Sequence, residues 1–239
     1  LYTVIPATVK YTAAAKPTLT AGGALNTYFS KGAYHVALAK DTASVTLSLS
    51  GGTLYADSSC TVSASTTLTD ITPGRTTYYI KSTATDDIYP LYILRATGSA
   101  DTSAKVLYVD DDFTDVTGTA AFYNGKDVLP ITVGTNGFAD IKDVLATVNT
   151  ADGYTVYVGT GNYSTNSVKI NKAVSFIGSN ADVAANTVDA EGGWSVNKNR
   201  YPESVLTDAL VYNFTTAATG NDAKVTVKGF TFEGQVQLG

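Results

Sequence analysis

Of the residue types that carry most enzyme and metal chemistry, this sequence holds almost none: one cysteine, one histidine and no methionine in 239 residues. A lone cysteine excludes an intrachain disulfide, and with His35 as the single histidine there is no zinc site of the Cys/His type. Cys60 stands in an alternating stretch, SSCTVSAS, and is read as an inert buried residue rather than a nucleophile. Charge is scarce as well. Charged residues make up 15% of the chain, below the roughly 25% of ordinary soluble domains. The net charge is −5 and the lysines and arginines are scattered, which excludes a basic face for nucleic acid. No apolar run approaches the roughly 18 residues of a membrane-spanning helix. The chain opens at Leu1 without a methionine, as expected of a processed or truncated form whose signal peptide has gone.

What fills the space is Thr, Ala, Ser, Gly and Tyr. This acidic, lysine-poor composition suits an extracellular bacterial or archaeal surface protein, secreted and processed. NYS at Asn162 and NFT at Asn213 match the glycosylation acceptor pattern, which also arises by chance.

The first hundred residues read as an all-β unit. SVTLSLS (residues 44–50) sets Val45, Leu47 and Leu49 on one face, the period of a half-buried strand. Gly51 and Gly52 then turn the chain. DITPGR (70–75) is a Pro-Gly turn, and TTYYIKSTATDDIYPLYILRA (76–96) gives two strands around TDDIYP, where acidic residues and Pro90 interrupt the pattern. His35, in the alternating KGAYHVALAK, is read as a surface or edge residue. The run from Leu68 to Ala96, with Tyr78, Ile80, Tyr92, Leu94 and Arg95 in matching places, resembles the end of a bacterial cadherin-like, immunoglobulin-type β-sandwich domain. The resemblance implies a spacer or interaction module; the glycine usual in the acidic turn is missing here. Residues 1–98 are assigned to this unit, and within the small polar stretch TGSADTSA (97–104) the linker is placed at 99–104.

Residues 105–239 follow a different grammar. KVLYVDDDF is a strand running into carboxylates. Phe138, Ile141, Val144, Leu145 and Val148 then draw an apolar stripe down a helix. Beyond Gly153 come short strands separated by Gly, Asn, Ser and Thr: YTVYV, VKI, VSFIG, SVLTD, LVYNF, KVTV and FTFEG. Brief strands with small-residue corners are what a parallel β-helix needs, since each coil buries its interior only by stacking on its neighbours. The 138–148 helix is placed to cap the first coil. The order Tyr108, Phe138, Ile141, Val156, Tyr157, Val158, Gly161, Tyr163, Ile170, Lys172, Ile177 and Gly178 resembles the N-terminal region of the pectin-lyase-like β-helix superfamily. The expected fold class is therefore all-β: an N-terminal β-sandwich, then a short right-handed parallel β-helix with an N-terminal capping helix. The sequence ends at TFEGQVQLG, one or two coils in, as a fragment would or as a subunit whose open end at residues 235–239 is covered by another chain.

Chemistry is harder to find. The resemblance implies lyases that use Lys or Arg beside calcium, or hydrolases with grouped Asp residues, yet no coil segment matches such a motif. Lys169, Lys172, Lys224 and Lys228 read as solubilising charges, and Arg200 with Glu203 as a structural pair. Asp110, Asp111, Asp112 and Asp115 form the candidate metal set: hard oxygen ligands suited to calcium, or else a solvated acidic turn. Asp86 and Asp87 read as a turn. Trp194 and Tyr201 are candidate carbohydrate contacts, or else loop aromatics packed over the coils. The leading expectation is a non-catalytic surface, adhesion or assembly protein, binding copies of itself or other surface proteins. It would polymerise through strand addition by the apolar LYTVIPATVKY or through β-helix end stacking. The alternatives are the N-terminal fragment of a secreted polysaccharide lyase or glycosidase, and a carbohydrate-binding module.

Overall fold

A computed structural model describes residues 16–164, 169–188, 193–212, 225–234 and 236–238. The chain is predominantly β, with one α-helix among the described residues. No helix among them is long and apolar enough to cross a membrane. The N-terminal stretch LYTVIPATVKY, Lys224, Asn213, Gln235 and Gly239 lie outside the described residues.

Eight strands come first: β1 (Thr18–Gly22), β2 (Asn26–Ser30), β3 (Ala33–Leu38), β4 (Val45–Ser50), β5 (Gly52–Tyr55), β6 (Thr67–Leu68), β7 (Gly74–Ser82) and β8 (Ile88–Arg95). They form two sheets, ordered β1-β4-β6 and β2-β3-β8-β7-β5. The alternation in β4 does what its period requires: Val45 and Leu47 are buried while Thr46 and Ser48 are exposed. Those two side chains, with Leu68, meet Val36, Ile80 and Ile93 of the larger sheet in one core.

Two expectations need correction here. Pro90 does not interrupt the pattern; it lies inside β8, opposite Tyr79. The Ser82–Asp87 backbone hydrogen bond sets the register so that position 90 points its nitrogen away from β7. On the other side the β3 ladder starts only at Leu91, so no donor is missed. Cys60 is not a strand residue either. It sits in a turn with φ of 53°, half-buried, held where the Asp57 carboxylate accepts from the Thr61 and Val62 amides. Asp86 and Asp87 do occupy the exposed turn between β7 and β8.

Strand β3 is buried along its whole length. One face (Tyr34, Val36, Leu38) joins the core just described. The other faces a 3-10 turn and a hairpin among the next elements, which are β9 (Val106–Val109), the 3-10 turn (Asp111–Phe113), the hairpin strands β10 (Gly118–Tyr123) and β11 (Val128–Val133), then β12 (Gly137–Phe138) and α1 (Ile141–Val148). Ala37 and Leu94 pack with Ala121 and Val128 of the β10–β11 hairpin, and Tyr28 packs against the cluster that holds Phe122. Asn26 Nδ2 donates to the Thr117 and Thr119 carbonyls at 3.1 and 2.7 Å. Residues 99–104 carry no strand or helix, but the chain on either side is tied down, as where the Thr97 amide donates to the Val128 carbonyl at 2.9 Å.

Phe138 belongs to β12, beside Val109, and the helix begins three residues later than its apolar stripe suggests. Asp140 decides the boundary. Its backbone is extended, and its carboxylate accepts from the amides of Ile141 and Ser164.

The remaining strands are β13 (Tyr154–Val158), β14 (Gly161–Tyr163), β15 (Lys169–Ile170), β16 (Val174–Ile177), β17 (Asn186–Val188), β18 (Trp194–Val196), β19 (Ser204–Leu206), β20 (Leu210–Tyr212), β21 (Val227–Lys228), β22 (Phe230–Phe232) and β23 (Val236–Leu238). Strands β13, β16 and β21 continue in parallel the sheet that contains β9. Strands β14-β19-β22 and β15-β20-β23 form two further parallel sheets. Each successive set of three thus visits the same three sheets in the same order, and the β17–β18 hairpin is an excursion between β16 and β19. Val156, Tyr163, Ile170, Phe176, Leu206 and Tyr212 share one interior with all four buried residues of α1.

Glycine makes one corner of this stack possible. A Cβ on Gly178 would lie 2.4 Å from the carbonyl oxygen of Gly229, and one on Gly229, at φ of +82°, would lie 2.4 Å from the Ala181 nitrogen. Backbone meets backbone there, so no side chain can swing aside. Gly178→Ala is expected to cost about 3 kcal/mol, the upper end for overpacking, read as a lowered urea midpoint; an unchanged midpoint would show that this corner is not close-packed.

Candidate functional site

Strand β9 is followed by Asp110, whose carboxylate caps the 3-10 turn by accepting from the Asp112 amide at 3.2 Å and also accepts from the Tyr123 amide at 2.9 Å. Gly159 covers it so closely that a Cβ there would stand 2.8 Å from Asp110 Oδ2. Burial first, and then the charge of Asp112, holds the Asp110 carboxyl well above the usual carboxylate range. Asp111 accepts from the Asn162 amide at 3.3 Å, and burial followed by Asp112 pushes its carboxyl upward too. The Tyr163 hydroxyl accepts from the Asp111 amide and donates to the Thr160 carbonyl, each at 3.3 Å.

Of the four expected metal ligands, three come together. Asp110, Asp111 and Asp112 bring carboxylate oxygens within 4.8 Å of one another. Asp115 is exposed on a left-handed backbone and does not join them.

His35 is the residue that the sequence reading misplaced. It is 1% exposed, because β3 is covered on both faces. Its ring stacks on Tyr28 at 4.8 Å, and Tyr92 tilts against it at 5.3 Å. Nε2 lies 3.2 Å from Asp112 Oδ2, close enough for an ion pair but without hydrogen-bond geometry, and neither ring nitrogen has a hydrogen bond among the described residues. One signal was present in the sequence. The positions flanking His35 on its own face are Ala33 and Ala37, and a strand apolar on both faces is the mark of double-sided burial.

A second feature lies beside the parallel strands. Phe122, Tyr157, Ser179, Asp182 and Tyr201 line an opening of about 400 Å³ between the β10–β11 hairpin and the excursion after β16. Tyr201 is placed there by a buried amide: Asn180 Oδ1 accepts from the Tyr201 nitrogen and Nδ2 donates to its carbonyl, both at 3.0 Å. Trp194 pairs with Val188 through its backbone, and its side chain lies outside the described residues. Arg200 forks onto Glu203 with two 2.8 Å bonds, the structural pair expected. Lys228 pairs with Asp182 at 2.9 Å, while Lys169 is exposed and Lys172 half-buried. Asn162 is exposed on β14.

Comparison with family models, with curated proteins and with solved structures finds no match for this chain.

Burial raises the phenols of Tyr28, Tyr163 and Tyr212, and pushes that of Tyr34 up to about 12. A phenol raised above its unfolded value of about 10 supports the fold below that pH and loses the support as pH climbs through the folded value. Stability is therefore expected to hold up to about pH 10 and to fall beyond it. The buried tyrosines should ionise together with unfolding in a phenolate absorbance titration, whereas smooth ionisation of all tyrosines near pH 10 in a folded protein would contradict this.

Proposed function

We propose that this chain is a non-catalytic extracellular surface protein, an adhesion or assembly subunit in which a β-sandwich is joined to the start of a right-handed parallel β-helix capped by α1. The observation that carries this reading is the shared core at the junction. Strand β3 and the β10–β11 hairpin bury each other's faces, which suits a stiff spacer better than a hinged enzyme. The chemistry of the chain points the same way. Its one histidine is enclosed between tyrosines, and Arg200 is engaged by Glu203. Assembly would run through the outermost strands β21, β22 and β23, each with a partner on one side only among the described residues, and with Phe232 exposed nearby.

A second reading, a carbohydrate-binding module or the start of a polysaccharide-active enzyme, is favoured by the opening beside Tyr157 and Tyr201. Aromatic faces next to Ser179 and Asp182 suit a sugar's mixed apolar and hydroxylated surface.

Electron microscopy and light scattering of the concentrated protein separate the two. Ordered assemblies are expected, with no sugar released from plant or microbial polysaccharides. A protein that stays monomeric and retains glycans on an array, with retention lost in Tyr201→Ala, would replace the first reading by the second.

A further inference from the structure

The acidic turn gathers three carboxyl groups with no lysine or arginine paired to them among the described residues. Asp110, Asp111 and Asp112 lie within 4.8 Å of one another through single oxygens. Clustered carboxylates alone do not make a site, since acidic turns are commonly solvated. His35 is the independent observation. It arrives from β3, a strand on the other side of the junction, and is 99% buried by virtue of its 1% exposure. Neither of its ring nitrogens has a hydrogen bond among the described residues, yet Nε2 lies 3.2 Å from Asp112 Oδ2.

Burying an imidazole without hydrogen bonds is costly. Metal sites give such a group a use: carboxylate ligands are held in place by partners behind them, and those partners set affinity without touching the ion. The stacked ring of Tyr28 and the tilted ring of Tyr92 leave His35 little freedom to turn elsewhere.

We propose that Asp110, Asp111 and Asp112 hold one divalent cation of the calcium class through carboxylate oxygens, and that His35 is a positioning residue fixing Asp112 from behind. The donor set is oxygen only, which selects hard cations over zinc or copper. Oxygens within 4.8 Å of one another can share one ion with bonds of about 2.3–2.6 Å, and so irregular a set of carboxylates suits the flexible shell of calcium better than the strict octahedron of magnesium at about 2.0–2.1 Å. Water completes the shell on the half-exposed side of Asp111 and Asp112. The ion then ties the turn after β9 to β3, through the Asp112–His35 contact, so that cation binding stiffens the junction between the two parts of the chain.

The test uses the whole chain, stripped with a chelator and titrated with calcium chloride by calorimetry. Tb³⁺ luminescence, excited through Tyr163 at the turn, serves as a second probe. One calcium per chain is expected, with a raised unfolding midpoint and with Tb³⁺ displaced by calcium more readily than by magnesium. Asp111→Asn, at a half-exposed position, should weaken binding at least tenfold. His35→Gln should weaken it by about 10- to 100-fold while the metal-free unfolding midpoint stays put, a split that a purely structural role would not produce. Asp86→Asn, in a distant turn, should bind as the native chain does. No calcium binding, binding indifferent to Asp111→Asn, or equal loss in Asp86→Asn would each overturn the site. Native affinity in His35→Gln would overturn the role given to His35, and if that variant does not fold, native affinity in Asp112→Asn would do the same.

Discussion

The burial of strand β3 on both faces is the constraint from which the rest of the structure follows. A strand with one face in water can accept almost any polar side chain there, but β3 alternates Tyr34, Val36 and Leu38 with Ala33, His35 and Ala37, and none of the six is exposed. The small residues matter most. They let the β10–β11 hairpin approach until Ala121 and Val128 touch Ala37 and Leu94. Fully burying a side chain such as Phe122 at the same junction is worth about 2–3 kcal/mol, and the Asn26 amide adds direction to a contact that apolar packing alone leaves free to slide. Because β10 and β11 are also the first strands of the seven-stranded sheet, fixing the hairpin fixes the direction in which β9, β13, β16 and β21 continue.

The stack built on that sheet meets a separate demand: every buried polar group inside it needs a partner. Ser204 donates to the Gly159 carbonyl at 2.6 Å and accepts from the Ser179 amide at 2.9 Å, while the Tyr212 hydroxyl donates to the Val174 carbonyl at 2.7 Å. The Ser204–Gly159 bond joins two successive levels of the stack, whereas Ser179–Ser204 and Tyr212–Val174 tie segments of one level together, and all of them supplement the ladders at the places where corners interrupt them. Asn180 does the same for Tyr201 and so links the interior to the opening at the surface. His35 stands out against this background as the buried side chain whose ring nitrogens have no hydrogen bond among the described residues.

Local pattern made much of this legible in the sequence. The period of two in Val45 and Leu47, the three-and-four spacing from Ile141 to Val148, and the short apolar bursts between Tyr154 and Ile177 each correspond to the element they indicate. What local pattern could not supply was which surfaces meet. His35 looked exposed because its covering hairpin lies some ninety residues away in sequence, and the same distance hid the Asn26 contacts. Phe138 fitted the helical stripe, and only the capping carboxylate of Asp140 separates it from the helix. Cys60 alternated convincingly, but the Asp57 carboxylate gathers the Thr61 and Val62 amides into a turn instead. The acidic cluster shows the same division: three adjacent aspartates are visible at once, whereas the imidazole that faces them comes from a strand read as a free edge.

The parallel ladders also set a direction of mechanical weakness. Their hydrogen bonds run from one level to the next, so a pull along the stack loads them a level at a time and opens the outermost strands first. A pull across the stack is carried instead by covalent backbone within each level. The β17–β18 hairpin leaves the second level between its first two strands, β16 and β19, and pairs with none of the three stacked sheets. It therefore lies off the load path, and chain can be added or removed there without changing how force passes from the first strand to the last.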